Sequence, residues 1–155
     1  MGKWESQSQG GNSKAGSVAE RFEDLKVWQT ARELTKGVYR AAETQRLRQD
    51  RALRNQMCRA AVSIGSNIAE GYERGTRKQF IEFCYIAKGS AGELRSQIIT
   101  ARDVDLLDES ACEWLLGKAE TCSRQLCVFV RHLQKTKATI PGLKYHRSNE
   151  VTPHA

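Results

Sequence analysis

Few side chains in this sequence are both suited to chemistry and spaced for it. The histidines are His132, His146 and His154, and none follows a glutamate at the Glu-x-x-His spacing. Facing helices of a bundle build metal centres from such pairs, so no di-iron site is expected. The cysteines Cys58, Cys84, Cys112, Cys122 and Cys127 contain no C-x-x-C pair, and Cys122 and Cys127 have no third ligand beside them. Zinc needs clustered ligands, so these read as reduced core thiols. Ser63, Ser66 and Ser90 lack a nearby histidine base, and nucleophilic catalysis needs one. The glycines match neither a P-loop nor a dinucleotide fingerprint. The expectation is a protein that is not an enzyme, with no metal and no cofactor.

Two polar groups and a set of cations remain. Ser66, Asn67 and Glu70 lie on one segment, and Ser90, Glu93 and Gln97 on the next, at three- and four-residue steps that share a helical face. A ligand pocket between two helices is one reading. A hydrogen-bonded network that sets helix register is the other. We prefer it, because buried polar side chains in bundles are commonly satisfied by their neighbours. The cations sort by chain position. Arg74, Arg77, Lys78, Arg131, Lys135 and Lys137 would meet at one end of an antiparallel bundle, joined by Lys144 and Arg147 from the tail. Arg46, Arg48 and Arg51, with Arg40 and Arg54, would meet at the other end. There Asp103, Asp105, Asp108 and Glu109 should neutralise much of their charge. The first end is the expected phosphate-facing surface. A solvated charged face is the plainer alternative.

The elements that position these residues are helices. Leu25, Trp28, Ala31, Leu34, Val38 and Ala41 recur at three- and four-residue steps, which predicts a first helix over 23–43 with Trp28 as a core anchor. A basic linker, 44–49, leads to a second helix over 50–73, capped by Asp50. Its stripe narrows to Ala60 and Ala61, and Gly65-Ser66 could bend it. Thr76 with Gln79 three residues on is a capping-box signal for a third helix ending near Asp103. Asp108-Glu109 opens a fourth, running to about Lys137. Gly37, Gly89 and Gly92 suggest close helix approach. The fold expected is all-α, an up-down-up-down antiparallel four-helix bundle over 21–137. Residues 1–20 read as a disordered tail and 138–155 as a basic flexible tail.

Bulk properties agree with one domain. The chain has 155 residues, 28% of them charged, two prolines and a formal net charge of +7, with a pI near 9.3. That charge favours an acidic partner, of which nucleic acid is the commonest. The N-terminal stretch lacks the apolar core of a signal peptide, and no run approaches a membrane span. A cytoplasmic protein without a membrane partner is expected.

The segment CRAAVSIGSNIAEG (58–71) resembles the hallmark of the bacterial four-helix-bundle proteins encoded in 23S rRNA intervening sequences, often labelled S23 ribosomal protein. FEDLKVWQTARELT (22–35) and EFCYIAKGSAGELRSQ (82–97) are similar to that family's opening and third helix. The likeness covers about 22–107 strongly and helix 4 more loosely. Where the family usually has proline, this chain has Gly65. GYERGTRKQF (71–80) and IAKGSAGELRSQ (86–97) resemble the versions that serve as accessory proteins of diversity-generating retroelements. The resemblance implies a homopentamer and an RNA-related role beside a reverse transcriptase. It carries no catalytic residues. The expected function is an oligomeric bundle that binds nucleic acid, most readily structured RNA. The alternative is a protein–protein adaptor on a reverse transcriptase or ribosomal component.

Overall fold

The computed structural model describes residues 18–136. Among them lie a 3₁₀ turn, Phe22–Asp24, and five helices: α1 (Lys26–Ala42), α2 (Gln45–Gln49), α3 (Arg51–Glu73), α4 (Arg77–Asp103) and α5 (Glu109–Lys135). The four long helices run up and down in turn. α1 and α4 each pack against both α3 and α5, which closes an all-α four-helix bundle.

The apolar stripes legible in the sequence form its interior. Ala31, Leu34 and Val38 of α1 are buried, as are Met57, Ala61, Ile64 and Ile68 of α3. Phe80, Cys84, Leu94 and Ile98 of α4 and Leu115, Cys122, Leu126 and Leu133 of α5 complete the core. The alanine step of α3 brings α1 close. The Thr35 hydroxyl lies 2.9 Å from the Ala31 carbonyl and 3.1 Å from the Ala61 carbonyl across the contact.

Each helix boundary has a local cause. Asp50, Thr76 and Asp108 accept from the backbone N–H of Leu53, Gln79 and Ala111 at 3.0, 3.2 and 2.8 Å, satisfying N–H groups that have no partner within the helix. Gly75 turns α3 into α4 with φ 78°, a conformation that suits glycine. α4 ends in a left-handed residue, Asp105 (φ 57°). Leu106 N–H reaches back to the Ala101 carbonyl (2.8 Å) and Asp105 N–H to the Arg102 carbonyl (3.1 Å). This is the Schellman pattern, with aspartate where glycine is usual.

Several expectations need correction. The stretch 44–49 contains a helical turn, α2, because Leu47 is fully buried and anchors it. α1 begins at Lys26, so Glu23 and Asp24 sit in the 3₁₀ turn before it. The boundary at residue 20 is too late: Val18 is buried, and the Tyr72 hydroxyl donates to the Ala19 carbonyl at 2.6 Å. Trp28 is half-buried at a groove, edge-on to Phe22 at 5.3 Å. Gly37 does mark a close approach, since Trp114 covers the place of its missing Cβ. Gly89 and Gly92 face open space instead. Residues 1–17 and 137–155, which include most of both expected tails and Lys137, lie outside the described residues.

Candidate nucleic-acid interface

The polar cluster between α3 and α4 is narrower than its sequence suggested. The Ser63 and Ser90 hydroxyls meet at 2.9 Å, and the Asn67 amide donates to Ser63 Oγ (2.9 Å) and to the Ser63 carbonyl (2.7 Å). These bonds tie the two helices at mid-length. Ser66, Glu70 and Glu93 are exposed, so of the six residues in the two polar groups only Asn67 and Ser90 join this cluster. Ser63 is the member the spacing argument missed. Glu70 instead pairs with Arg74 at 2.7 Å on the surface. Glu93 accepts from Gln97 at 3.2 Å. The Gln97 carbonyl oxygen is buried without a hydrogen-bond partner among the described residues.

Burial governs the thiols. It pushes Cys84 and Cys122 up from the usual thiol range to about 12, and raises Cys58 and Cys112 as well. Such thiols stay neutral at physiological pH and are poor nucleophiles and ligands. Among the described residues no group of three or more His, Cys, Asp or Glu side chains is placed to hold a metal ion.

The cations divide by how they are neutralised. At the α2 end, Arg46 donates to the backbone carbonyl of Asp105 at 2.7 Å. Arg54 pairs with Glu43 at 2.8 Å and also donates to the Ala42 carbonyl. Arg102 lies 3.8 Å from Asp103 and 4.0 Å from Glu109. Arg48 and Arg51 line a shallow polar cleft with Glu43. At the opposite end, the Arg74 guanidinium is held by Glu70 and lies 5.3 Å from the centre of the Phe83 ring. Arg77 is half-buried, while Lys78, Arg131 and Lys135 are exposed. No carboxylate pairs with these last three among the described residues.

A second basic surface was not anticipated. Arg32, Lys36 and Arg40 stand four residues apart on α1, all exposed and none in an ion pair among the described residues. Arg32 lies 5.8 Å above the Trp28 ring. Arg32 and Lys36 border a groove of about 380 Å³ between α1 and α3, lined also by Phe22, Trp28, Val62, Ser66 and Ala69. The signal was present as the four-residue repeat of cations. Only the half-buried position of Trp28 beside that repeat marks the face as a groove.

The 23S rRNA-intervening sequence protein family matches the chain over residues 23–127. The chain belongs to this family. A protein of unknown function from the S23 ribosomal protein family of Bacteroides thetaiotaomicron VPI-5482 has a similar solved structure, with a TM-score of 0.63 and 18% identity over 68% of this chain and 98% of that one. At that identity the likeness speaks for the fold, which is a helical bundle. No curated protein matches the chain. Among the described residues no helix of this family member is long and apolar enough to cross a membrane.

Proposed function

We propose that this member of the 23S rRNA-intervening sequence protein family is a non-enzymatic, cytoplasmic bundle that self-assembles and binds nucleic acid, most readily structured RNA, through its basic surfaces. The observation that carries the reading is two clusters of exposed cations that have no carboxylate partner among the described residues. They are Lys78, Arg131 and Lys135 at the α3–α4 end, and Arg32 and Lys36 beside the Trp28 groove. Unneutralised Lys and Arg displace counterions from phosphates and give salt-dependent, sequence-tolerant affinity. A nearby indole adds a surface on which unpaired bases stack. Arg46 and Arg54, already engaged with the protein, are weaker phosphate contacts. The homopentamer and the service to a retroelement reverse transcriptase, both implied by the resemblance, belong to the same proposal.

Fluorescence anisotropy of a labelled stem-loop RNA across a salt series tests it. Log affinity is expected to fall linearly with log salt. The pairs Arg131→Glu/Lys135→Glu and Arg32→Glu/Lys36→Glu should each weaken binding and flatten that slope, with little change in melting temperature. Salt-independent binding, or none, sinks the reading.

A second reading has its own support. An open groove of about 500 Å³ between α1 and α5, lined by Leu25, Val27, Val128 and Phe129, is largely apolar and suits protein side chains. If the bundle is an adaptor, capture of a reverse transcriptase should survive nuclease treatment and fail for Val128→Glu.

A further inference from the structure

We propose that the outward face of α4 is a self-association seam that takes a second copy of this chain with the two α4 helices parallel. The inference rests on the self-assembly reading above and names its surface and polarity. Tyr85, Gly89, Gly92, Ser96 and Ile99 follow one another at steps of four, three, four and three. That is the spacing of the facing residues in a coiled coil. Tyr85 is 53% exposed, Ile86 51% and Ile99 39%, so the face leaves large apolar side chains in water.

The glycines between them admit no close neighbour among the described residues. A Cβ at Gly89 or Gly92 would meet nothing within 4 Å, yet glycine inside a helix weakens it relative to alanine. Both lie in mid-helix, at the centre of the exposed seam, where a second helix gains most from their missing side chains. Bulky residues above and below a small-residue centre leave a shallow saddle that another helix can enter.

Charge selects the partner and its direction. Lys88 and Arg95 border one edge of the seam, and Glu93 with Ile86 the other. In an antiparallel pair each edge meets its own counterpart, setting cation against cation. In a parallel pair each edge meets the opposite one, at an offset of five residues. Lys88 then faces Glu93 of the second copy, and Ile81 faces its Ile86. Arg95 is already paired with Glu120 at 3.6 Å, whereas Lys88 and Glu93 are exposed and in no ion pair among the described residues. Among those residues Glu93 accepts only from the Gln97 amide, and Lys88 reaches only the Cys127 sulfur. The same complementarity holds between neighbours in any closed ring of parallel helices. Nucleic acid does not fit this face, because Glu82 and Glu93 stand on or beside it among apolar residues.

Sedimentation velocity of the full chain over a concentration series provides the test, using Lys88→Glu, Glu93→Lys, the double swap and Gly92→Leu. Each single reversal should weaken assembly at least tenfold. The double swap should restore it, and an equimolar mixture of the two single variants should assemble better than either alone. At concentrations where the wild type is dissociated, Gly92→Leu should melt at or above the wild-type temperature, and at assembling concentrations it should stay monomeric, which separates the seam from the fold. An assembled wild type indifferent to all four variants overturns the seam but leaves self-assembly standing. A monomeric wild type overturns both.

Discussion

Gly71 and Gly89 are the same residue type on adjacent helices, with opposite roles. A Cβ at Gly71 would lie 2.6 Å from Phe83 Cβ and 3.3 Å from the Phe80 backbone. Neither atom is the end of a flexible chain, so Gly71→Ala should destabilise by about 1–3 kcal/mol. Gly89→Ala, in open space, should stabilise the monomer by up to about 1 kcal/mol. Paired urea titrations at low protein concentration measure both, and a Gly71→Ala protein as stable as wild type would show that α3 and α4 can separate. Thiol titration is a second matter at this scale. The thiol pKa values of Cys84 and Cys122, raised from 9.0 to about 12, mean that the folded state holds them neutral. A raised acid favours the fold below its unfolded pKa and stops doing so as pH climbs through the folded value. Stability should therefore decline from about pH 9 toward about pH 12, and less steeply in Cys84→Ala/Cys122→Ala. Alkaline melting curves of the two proteins decide it.

At the scale of the element, helix ends offer the sharpest handles. Thr76 caps α4, and replacing it with alanine should lower stability by about 1 kcal/mol. Asp105 ends α4 in a left-handed conformation that L side chains other than Asn and Asp adopt poorly. Asp105→Gly should raise stability by a few tenths to about 1 kcal/mol. The Arg46 contact should persist, because it goes to the Asp105 backbone carbonyl. A fall in chemical-denaturation midpoint for Asp105→Gly would point to a use for the carboxylate that the geometry does not reveal. The caps were legible because Thr76 with Gln79, and Asp108 before Ala111, carry their own chemistry in sequence order. α2 was not, since five residues are too few for periodicity to speak, and only the burial of Leu47 marks the turn as helical.

For the molecule as a whole, cohesion runs through a chain of edge-on aromatic contacts. Trp28 meets Phe22, Phe22 meets Tyr72, Tyr72 meets Phe80 and Phe80 meets Phe129, at ring separations of 5.3, 6.4, 5.8 and 5.3 Å. These contacts connect α1, α3, α4 and α5 at the end that carries Lys78, Arg131 and Lys135. Phe80→Ala should destabilise by about 3–5 kcal/mol and loosen that end together with the segment at Val18–Ala19. Hydrogen exchange should register the loss at Ala19 and Phe129 alike. Protection lost at only one of them would mean that the end does not act as a unit.

The sequence by itself determined the helical class, the four long helices, three of their caps, the core stripes and the family likeness. All of these follow from residues near one another in the chain, through the 3.6-residue period and the chemistry of helix ends. Only the tertiary structure decided which polar and charged groups are spent and which remain available. Asn67 and Ser90 work together through Ser63, Glu70 is held at the surface by Arg74, and Arg46 ties α2 to the α4–α5 turn. Among the described residues Arg32 and Lys36 are left without carboxylate partners beside Trp28, and Gly89 and Gly92 face outward where Gly37 and Gly71 face in. Each outcome depends on what a neighbouring helix brings within a few ångströms, and periodicity along one chain segment holds no information about that neighbour.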